Sequence, residues 1–448
     1  MIPWRFCGVT LLLLLSLAGC SILPSPQVDQ AQVGTPTPQS VLNTGVPATV
    51  AAPAATAPIP PGEITDVPQS EGMSMVRIWV PPEFDPSGNS PASQLLKARL
   101  EEFSAANPDS RLEVRVKALD GEGGILDSLV AANAAAPLTL PDLVLLPRPL
   151  LESAALKGLI YPYDGFTSVL DDPSWFEYAQ QIAHLKSGIY GIPFAGEAMV
   201  LADRPSLLGT RSNNLEDFLE LGEVLLFPAA DSQALYTLSQ YLAKGGSLQD
   251  AEGRPWLDEA ILANILEFYQ RASLAGVMPY WLTQYSNDKQ VWEAFMGGEF
   301  PMAVTLASIY LKNMQNGTAD LAMAPMPILD DTPFTLASGW SWALAGQDLE
   351  KRLLSAKLAE FLVEPEFLAN WTSAAGYLPP RVDALQYWQN ADLRQVVEQI
   401  SYSAQLMPSS DVISTLGPAL EQAVVDVLKA QNDPQTAAQE VADQVNQP

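Results

Sequence analysis

Apolar and polar residues alternate along this chain in two periods, one typical of strands and one typical of helices. Three apolar segments predict strands: VRIWV (76–80), RLEVRVKAL (111–119) and PDLVLLP (141–147). Between the first two, Leu96, Leu100 and Phe103 recur at i, i+4 and i+7, which predicts an amphipathic helix ending at Asn107-Pro108. Strands that alternate with helices predict an α/β fold with a largely parallel sheet.

The second half of the chain has wider apolar stripes and fewer strands. The segment LDEAILANILEFYQRASLAGV (257–277) predicts a helix, and AVTLASIY (303–310) predicts a strand. The segment LASGWSWALAG (336–346) predicts another strand, in which alternate residues share a face. Trp340 and Trp342 are therefore expected on one face, where each is either a core residue or a surface for a bound molecule.

The first residues have a different pattern. Arg5 precedes an apolar run from about Val9 to Ala18, which is too short to span a bilayer comfortably and ends in LAGC at Cys20. This resembles a bacterial lipoprotein signal, which implies that 1–19 is a signal peptide and that Cys20 carries the lipid. The alternative is an uncleaved N-terminal anchor helix. Both interpretations predict an exported chain held at a membrane surface.

Residues 20–73 are rich in Pro, Ala and Thr. Ten prolines lie between Ser21 and Ser70, and this stretch contains no Lys or Arg. Such a segment cannot bury enough apolar surface to offset the entropy of ordering it. It is predicted to be a disordered, lipid-anchored linker that gives a folded domain reach above the membrane.

Composition excludes several classes of function. The formal net charge of −28 argues against nucleic acid and anionic lipid head groups as partners. The two cysteines, Cys7 and Cys20, precede the folded region, and His184 is the single histidine, so we expect no disulfide, metal site or Ser-His-Asp triad. Without a GxxxxGK[ST] motif, no cofactor or ATPase activity is predicted either. Glycoside cleavage by a pair of carboxylates remains an open alternative, because an acid-rich chain has many acids that could lie in a cleft.

The order of segments over roughly residues 75–440 resembles the family 1 extracellular solute-binding proteins, the group that includes maltose-binding protein. The passages that carry the resemblance are EEFSAANP, PDLVLLPRPLLESAALKGLIYPY, GIYGIPFAGEAMVL, LEDFLELGEVL, AFMGGEFPMAV, SGWSWALAG and GYLPPR. The resemblance implies a two-lobe periplasmic-binding-protein-like fold (type II), with a mainly parallel sheet in each lobe and a cleft between them. We place lobe 1 at 74–195 plus 329–363 and lobe 2 at 197–326 plus 366–448.

The same resemblance implies a set of ligand-binding candidates in the cleft: Trp340, Glu197, Glu83, Asp85, Arg148 and Tyr310. Trp340 is expected to stack on a sugar face, and Trp342 is expected to be core. Glu197 lies at the first predicted lobe crossing, where its alternative role is a hinge salt bridge. The sequence departs from the family pattern at Ser308, where a tryptophan is common.

These features predict a lipid-anchored solute-binding protein on the outer face of a bacterial membrane. It is expected to be a monomer that captures a small solute, a sugar or oligosaccharide, and delivers it to the permease and ATPase subunits of an ABC importer. Two alternatives are a secreted glycan-processing hydrolase and a non-transporting interaction lipoprotein on the same scaffold. No catalytic residue, metal or cofactor is predicted.

Overall fold

The structure is a computed structural model that describes residues 74–185, 188–209, 212–315, 317, 320–330 and 332–446. These residues belong to the unit Gln69–Pro448. The predicted signal peptide, the lipidation site Cys20 and the linker up to residue 73 lie outside the described residues.

The strands, in chain order, are β1 (Ser74–Val80), β2 (Ser110–Val116), β3 (Leu143–Pro147), β4 (His184–Leu185), β5 (Gly188–Ile189), β6 (Ile192–Asp203), β7 (Leu225–Leu226), β8 (Met302–Leu306), β9 (Ala322–Pro325), β10 (Thr335–Leu344) and β11 (Ala404–Leu406). All but β4 and β5 join in one sheet of order β2-β1-β3-β10-β6-β8-β7, with β11 paired to β10 and β9 paired to β6. The strands β4 and β5 form a separate small hairpin.

The helices are α1 (Pro91–Ala106), α2 (Ile125–Ala135), α3 (Arg148–Leu156), α4 (Glu177–Ala183), α5 (Leu215–Leu221), α6 (Leu235–Ala243), α7 (Glu259–Leu274), α8 (Asp288–Met296), α9 (Ala307–Met314), α10 (Leu349–Leu362), α11 (Pro365–Ala375), α12 (Val382–Leu385), α13 (Ala391–Ser403), α14 (Ser410–Leu428) and α15 (Pro434–Val445). Within the described ranges, none of these helices combines the length and the apolar character that crossing a bilayer requires.

Strand direction divides the sheet into two parts. The strands β1, β2, β3 and β6 run the same way, while β10 runs antiparallel to both β3 and β6. On the other side of β6, the strands β8, β7 and β9 all run opposite to it. On one side β10 and β11 run against the other strands, and on the other side β6 does, so each part has a parallel group of strands and the predicted α/β class is confirmed.

The long strand β6 passes from one part of the sheet to the other. Its residues from Ile192 to Ala198 pair with β10, and those from Met199 to Asp203 pair with β8 and β9. We call the part with β2, β1, β3 and β10 the β1 half, and the part with β8, β7 and β9 the β8 half. The change of partners falls beside Glu197, where the sequence predicts the first lobe crossing.

Local sequence explains where the first helix begins and ends. The Ser90 hydroxyl accepts a hydrogen bond from the Ser93 amide, and Pro91 stands at the first helical position, as at many helix starts. Leu96, Leu100 and Phe103 are buried beneath it, and the helix ends at Asn107 before a proline. This helix was correctly predicted from its apolar period.

The predicted strand at 303–310 is wrong in its second half. Strand β8 ends at Leu306 and helix α9 begins at Ala307, so Tyr310 is helical. Val304 and Thr305 lie in the strand, and Ile309 is the one β-branched residue of the helical segment ASIYLKNM. The side chain of Glu197, distant in sequence, caps the first turn of this helix.

Helices α9 and α11 pack against different halves of the sheet. Helix α9 packs on β6 and β8, whereas α11 packs on α1. Arg99 of α1 contributes to this second contact, with its guanidinium 5.1 Å from the ring centroid of Phe367 on α11; it also lies 3.3 Å from the ring centroid of Phe361 on α10. Helix α11 thus lies with the β1 half, although the sequence prediction assigned residues from 366 onward to lobe 2.

Candidate functional site

Trp340 lies on β10 at an irregularity of the sheet. It pairs with Pro147 of β3 and with Ala195 of β6, and the register with β6 shifts between Trp340 and Ser341. Its side chain is half-buried. Trp342 is 1% exposed and packs in the core, as predicted, so the two tryptophans have different surroundings despite sharing a strand.

Three aromatic side chains form a wall with Trp340. The ring of Phe84 lies 4.7 Å from the Trp340 ring, and it stacks at 5.7 Å on Tyr377 and at 5.5 Å on Trp371. We call these four residues the aromatic wall. Phe84, Tyr377 and Trp371 are buried, so Trp340 is the member with accessible ring surface. Sequence analysis did not predict Trp371 as part of a site, because it lies inside a helix and its contact with Phe84 comes from a segment far away in the chain.

Glu197 caps a helix at the junction between the two halves. Its Oε1 accepts hydrogen bonds from the backbone amides of Ser308, at 3.0 Å, and Ala198, at 3.1 Å. Burial raises the pKa of Glu197, while the hydrogen bonds from Ser308 and the charge of Lys312 act in the opposite direction. Glu197 is half-buried as a residue, and its carboxyl group lies where the β1 half meets the β8 half.

Tyr377 connects the aromatic wall to the charged groups. The Lys312 ammonium donates to its hydroxyl at 3.2 Å and lies 4.3 Å from the ring centroid. Burial raises the pKa of Tyr377, and the nearby charges of Glu197 and Glu83 raise it further. Tyr377 therefore keeps its proton, and it is linked through the Phe84 ring to Trp340.

Asp288 lies close enough to Glu197 and to Asp231 for the charges of both carboxyl groups to act on it. Burial and the charges of Asp231 and Glu197 raise the pKa of Asp288 to about 7. Asp231 accepts from the amides of Gln233 and Leu235 at the start of α6. Sequence analysis missed both aspartates, whose only local signal is their place at helix N-termini.

Arg148 has its partners elsewhere. Its guanidinium donates to Glu152 at 2.8 Å and to the carbonyl groups of Gln181, Ile182 and His184, so it joins α3 to the end of α4. With Leu185 and Tyr190 it also lines a pocket of about 360 Å³. Arg148 directly follows Pro147, the β3 residue that pairs with Trp340. Its guanidinium nevertheless binds the groups that join α3 to α4.

Asp85 and Tyr310 are also held by other contacts. The Asp85 carboxylate accepts from the amide and the hydroxyl of Ser87, closing a local turn. Tyr310 is 2% exposed, and its hydroxyl donates to the carbonyl of Leu321 at 3.3 Å. Tyr310 therefore packs in the core beneath the site. Within the part of the chain that the structure describes, no three His, Cys, Asp or Glu side chains are grouped to hold a metal ion.

This architecture, with two sheet halves joined by the continuous strand β6 and a polar junction between them, is that of the two-lobe, type II periplasmic-binding-protein-like class. The chain belongs to the bacterial extracellular solute-binding protein family, whose model matches residues 98–395. Members of this family bind solutes. No curated protein matches the chain in sequence.

Solved structures show the same fold. A cyclic α-maltosyl-1,6-maltose binding protein from Arthrobacter globiformis matches with a TM-score of 0.69 at 16% identity, over 84% of this chain and 98% of the other. MalE from Xanthomonas citri, a sugar-binding protein, matches with a TM-score of 0.69 at 18% identity, over 83% and 96%. The maltose complex of MalE from Listeria monocytogenes matches with a TM-score of 0.67 at 16% identity, over 83% and 97%.

Proposed function

We propose that this protein captures a carbohydrate, a sugar or an oligosaccharide, at the aromatic wall and Glu197, and delivers it to an ABC importer. The observation that supports this most directly is the half-buried Trp340, which packs on Phe84 and lies two residues along β10 from Ser338, the residue that pairs with Glu197. The C–H faces of a sugar are apolar and suit an aromatic ring, while its hydroxyl groups donate well to carboxylates. In this arrangement Trp340 is the stacking platform, and Glu197 and Glu83 accept from the hydroxyl rim.

The structural neighbours support the carbohydrate class. The three proteins named above are described as binding maltose, a cyclic maltosyl-maltose or sugar. At 16–18% identity their ligands do not transfer residue by residue, so the proposal rests on the chemistry at Trp340 and Glu197. Solute would bridge the two halves and shift them toward a closed arrangement, as in hinge proteins.

We extend the proposal to the cellular setting. Cleavage after residue 19 and lipidation of Cys20 would anchor the protein to the outer face of the membrane. The linker up to residue 73 would then let the binding domain reach the permease and ATPase subunits of its importer. The protein would act as a monomer, and as a binder rather than an enzyme.

The test is thermal unfolding of the protein with a panel of mono- and oligosaccharides, polyols and amino acids. A sugar at a hundred times its dissociation constant is expected to stabilise the fold by about 2.7 kcal/mol and to raise the midpoint visibly. The shift should disappear in Trp340→Ala and persist in Trp256→Ala, a control at a half-buried tryptophan in a different pocket, beside Asp258 and Asp443.

Two results would contradict the proposal. One is the absence of a shift with any sugar. The other is the appearance of shortened glycans when the protein is incubated with an oligosaccharide and the mixture is analysed by chromatography. A hydrolase turns its substrate over, whereas a binder does not.

A further inference from the structure

Helix α9 is tied to the end of α11 by side-chain contacts. The Gln315 Nε2 donates to the carbonyl groups of Ser373, at 2.8 Å, and Ala374, at 3.1 Å. These carbonyls belong to the last turn of α11, where a helix has no partners of its own for them. One turn earlier on α9, Lys312 donates to Tyr377. We call Lys312, Gln315, Gly376 and Tyr377 the α9–α11 bridge.

A glycine allows the two helices to approach this closely. Gly376 ends α11 with a φ of +71°, in the left-handed region. A Cβ at this position would lie 2.6 Å from the Cγ and 3.0 Å from the backbone nitrogen of Lys312. A side chain at Gly376 would therefore be strained by its own backbone and would also push α9 away from α11.

The α9–α11 bridge joins elements that belong to different halves of the sheet. Helix α9 packs on β6 and β8, whereas α11 packs on α1 and sends Trp371 into the aromatic wall. The first turn of α9 is capped by Glu197, so the same short helix carries a contact of the proposed solute site at one end and the bridge at the other. The bridge lies on the side of the junction where Tyr377 faces the acids of that site.

We propose that the α9–α11 bridge is a latch that holds the β1 half and the β8 half together at the solute site and thereby sets the equilibrium between open and closed arrangements. Solute affinity then depends on Gln315 through the closed population. When the competent population falls, the apparent dissociation constant rises by the same factor. The affinity readout rests on the proposed carbohydrate function, whereas the position of the two halves is measurable without any solute.

The test is a distance between spin labels on the two halves. Cys7 and Cys20 are the only cysteines, so the full chain with both replaced by serine accepts labels at Lys97→Cys on α1 and Lys289→Cys on α8. Both lysine side chains are exposed, at 63% and 84%. Gln315→Ala in this background is expected to lengthen the mean label distance, and Gly376→Ala is expected to lengthen it further.

The matched control is Gln422→Ala, an exposed glutamine on α14 that donates to Asp426 in its own helix. It should leave the distance unchanged. For a sugar found to bind, Gln315→Ala should raise the dissociation constant about threefold to tenfold, the range expected for losing the hydrogen bonds of one side chain. Saturating sugar should restore the shorter distance.

An unchanged or shorter label distance in Gln315→Ala, with an unchanged dissociation constant, would overturn the latch. If no sugar binds to any of these proteins but Gln315→Ala still lengthens the distance, the carbohydrate proposal fails while the latch is supported. A change in melting temperature without a change in distance would make Gln315 a merely structural residue and would also overturn the latch.

Discussion

Glu197 and Ser308 are 111 residues apart in the chain, yet the Glu197 carboxylate accepts the Ser308 amide hydrogen at 3.0 Å. The contact joins β6, at the point where this strand changes partners, to the first turn of α9. It caps the first turn of a helix where sequence analysis predicted the continuation of a strand, and it holds an acid at the junction of the two halves.

Replacing Glu197 by glutamine should separate binding from folding. The amide keeps the shape of the side chain but removes the charge-assisted acceptor, so we expect sugar affinity to fall about tenfold, or about 1.4 kcal/mol. Because burial raises the pKa of Glu197, the neutral side chain is tolerated and the melting temperature should change little. Calorimetric titration and thermal unfolding of Glu197→Gln measure the two effects. An unchanged affinity would remove Glu197 from the site.

Trp340→Ala should mainly reduce sugar binding, whereas Trp342→Ala should mainly reduce the stability of the fold. Trp342 is 1% exposed, so its truncation leaves a cavity and should cost about 3–5 kcal/mol in urea unfolding. Trp340 is half-buried, so its truncation should cost clearly less stability but abolish the stabilisation by sugar. Equal losses of stability in the two variants would show that Trp340 is a core residue.

Stability should decline as pH rises toward neutrality, in part because of Asp288. Its pKa is raised from 3.8 to about 7, so the folded state binds a proton that the unfolded state has already released. The stabilisation is complete below about pH 4 and is lost as pH rises through about 7. We expect Asp288→Asn to flatten this dependence and to stabilise the protein by a few kcal/mol at pH 8, since each pKa unit corresponds to about 1.4 kcal/mol.

Urea unfolding at pH 5, 6, 7 and 8 measures this dependence for the parent protein and for Asp288→Asn. Asp433→Asn is a control with the opposite sign, because hydrogen bonds from Thr436 lower the pKa of Asp433. Its removal should leave the decline between pH 5 and 8 intact. A profile for Asp288→Asn as steep as that of the parent would contradict the assignment.

Gly196 should be intolerant of any side chain because of Tyr178. A Cβ on Gly196 would lie 2.2 Å from the Tyr178 hydroxyl oxygen, which has no hydrogen-bond partner among the described residues. We expect Gly196→Ala to destabilise the fold by about 1–3 kcal/mol, as overpacked cores do. Tyr178→Phe alone should be nearly neutral, and combined with Gly196→Ala it should recover part of the loss. Strictly additive free energies of unfolding in this cycle would argue against the clash.

Much of the architecture was predictable because its signals are local. The period of Leu96, Leu100 and Phe103 depends on neighbours within one helix, and the helix was found where it was predicted. The fold class followed from alternating strands and helices, and the burial of Trp342 followed from its place inside a strand. For Tyr310 the prediction failed, because the capping of α9 comes from a residue on another strand.

Local sequence was enough to predict most of the strands and helices named above, the α/β class and the family pattern, since propensity and apolar period act over a few residues; the boundary between β8 and α9 is the exception. Only the tertiary structure decided which of the candidate residues meet. Trp340, Phe84 and Tyr377 come from three distant segments, and the contact between Trp340 and Phe84 at 4.7 Å depends on the register of β10 against β3 and on the turn after β1. The Arg148 guanidinium instead donates to the carbonyl groups at the end of α4. Such choices are made by packing and by competition among hydrogen-bond partners across the whole domain, and no short stretch of sequence contains both sides of that competition.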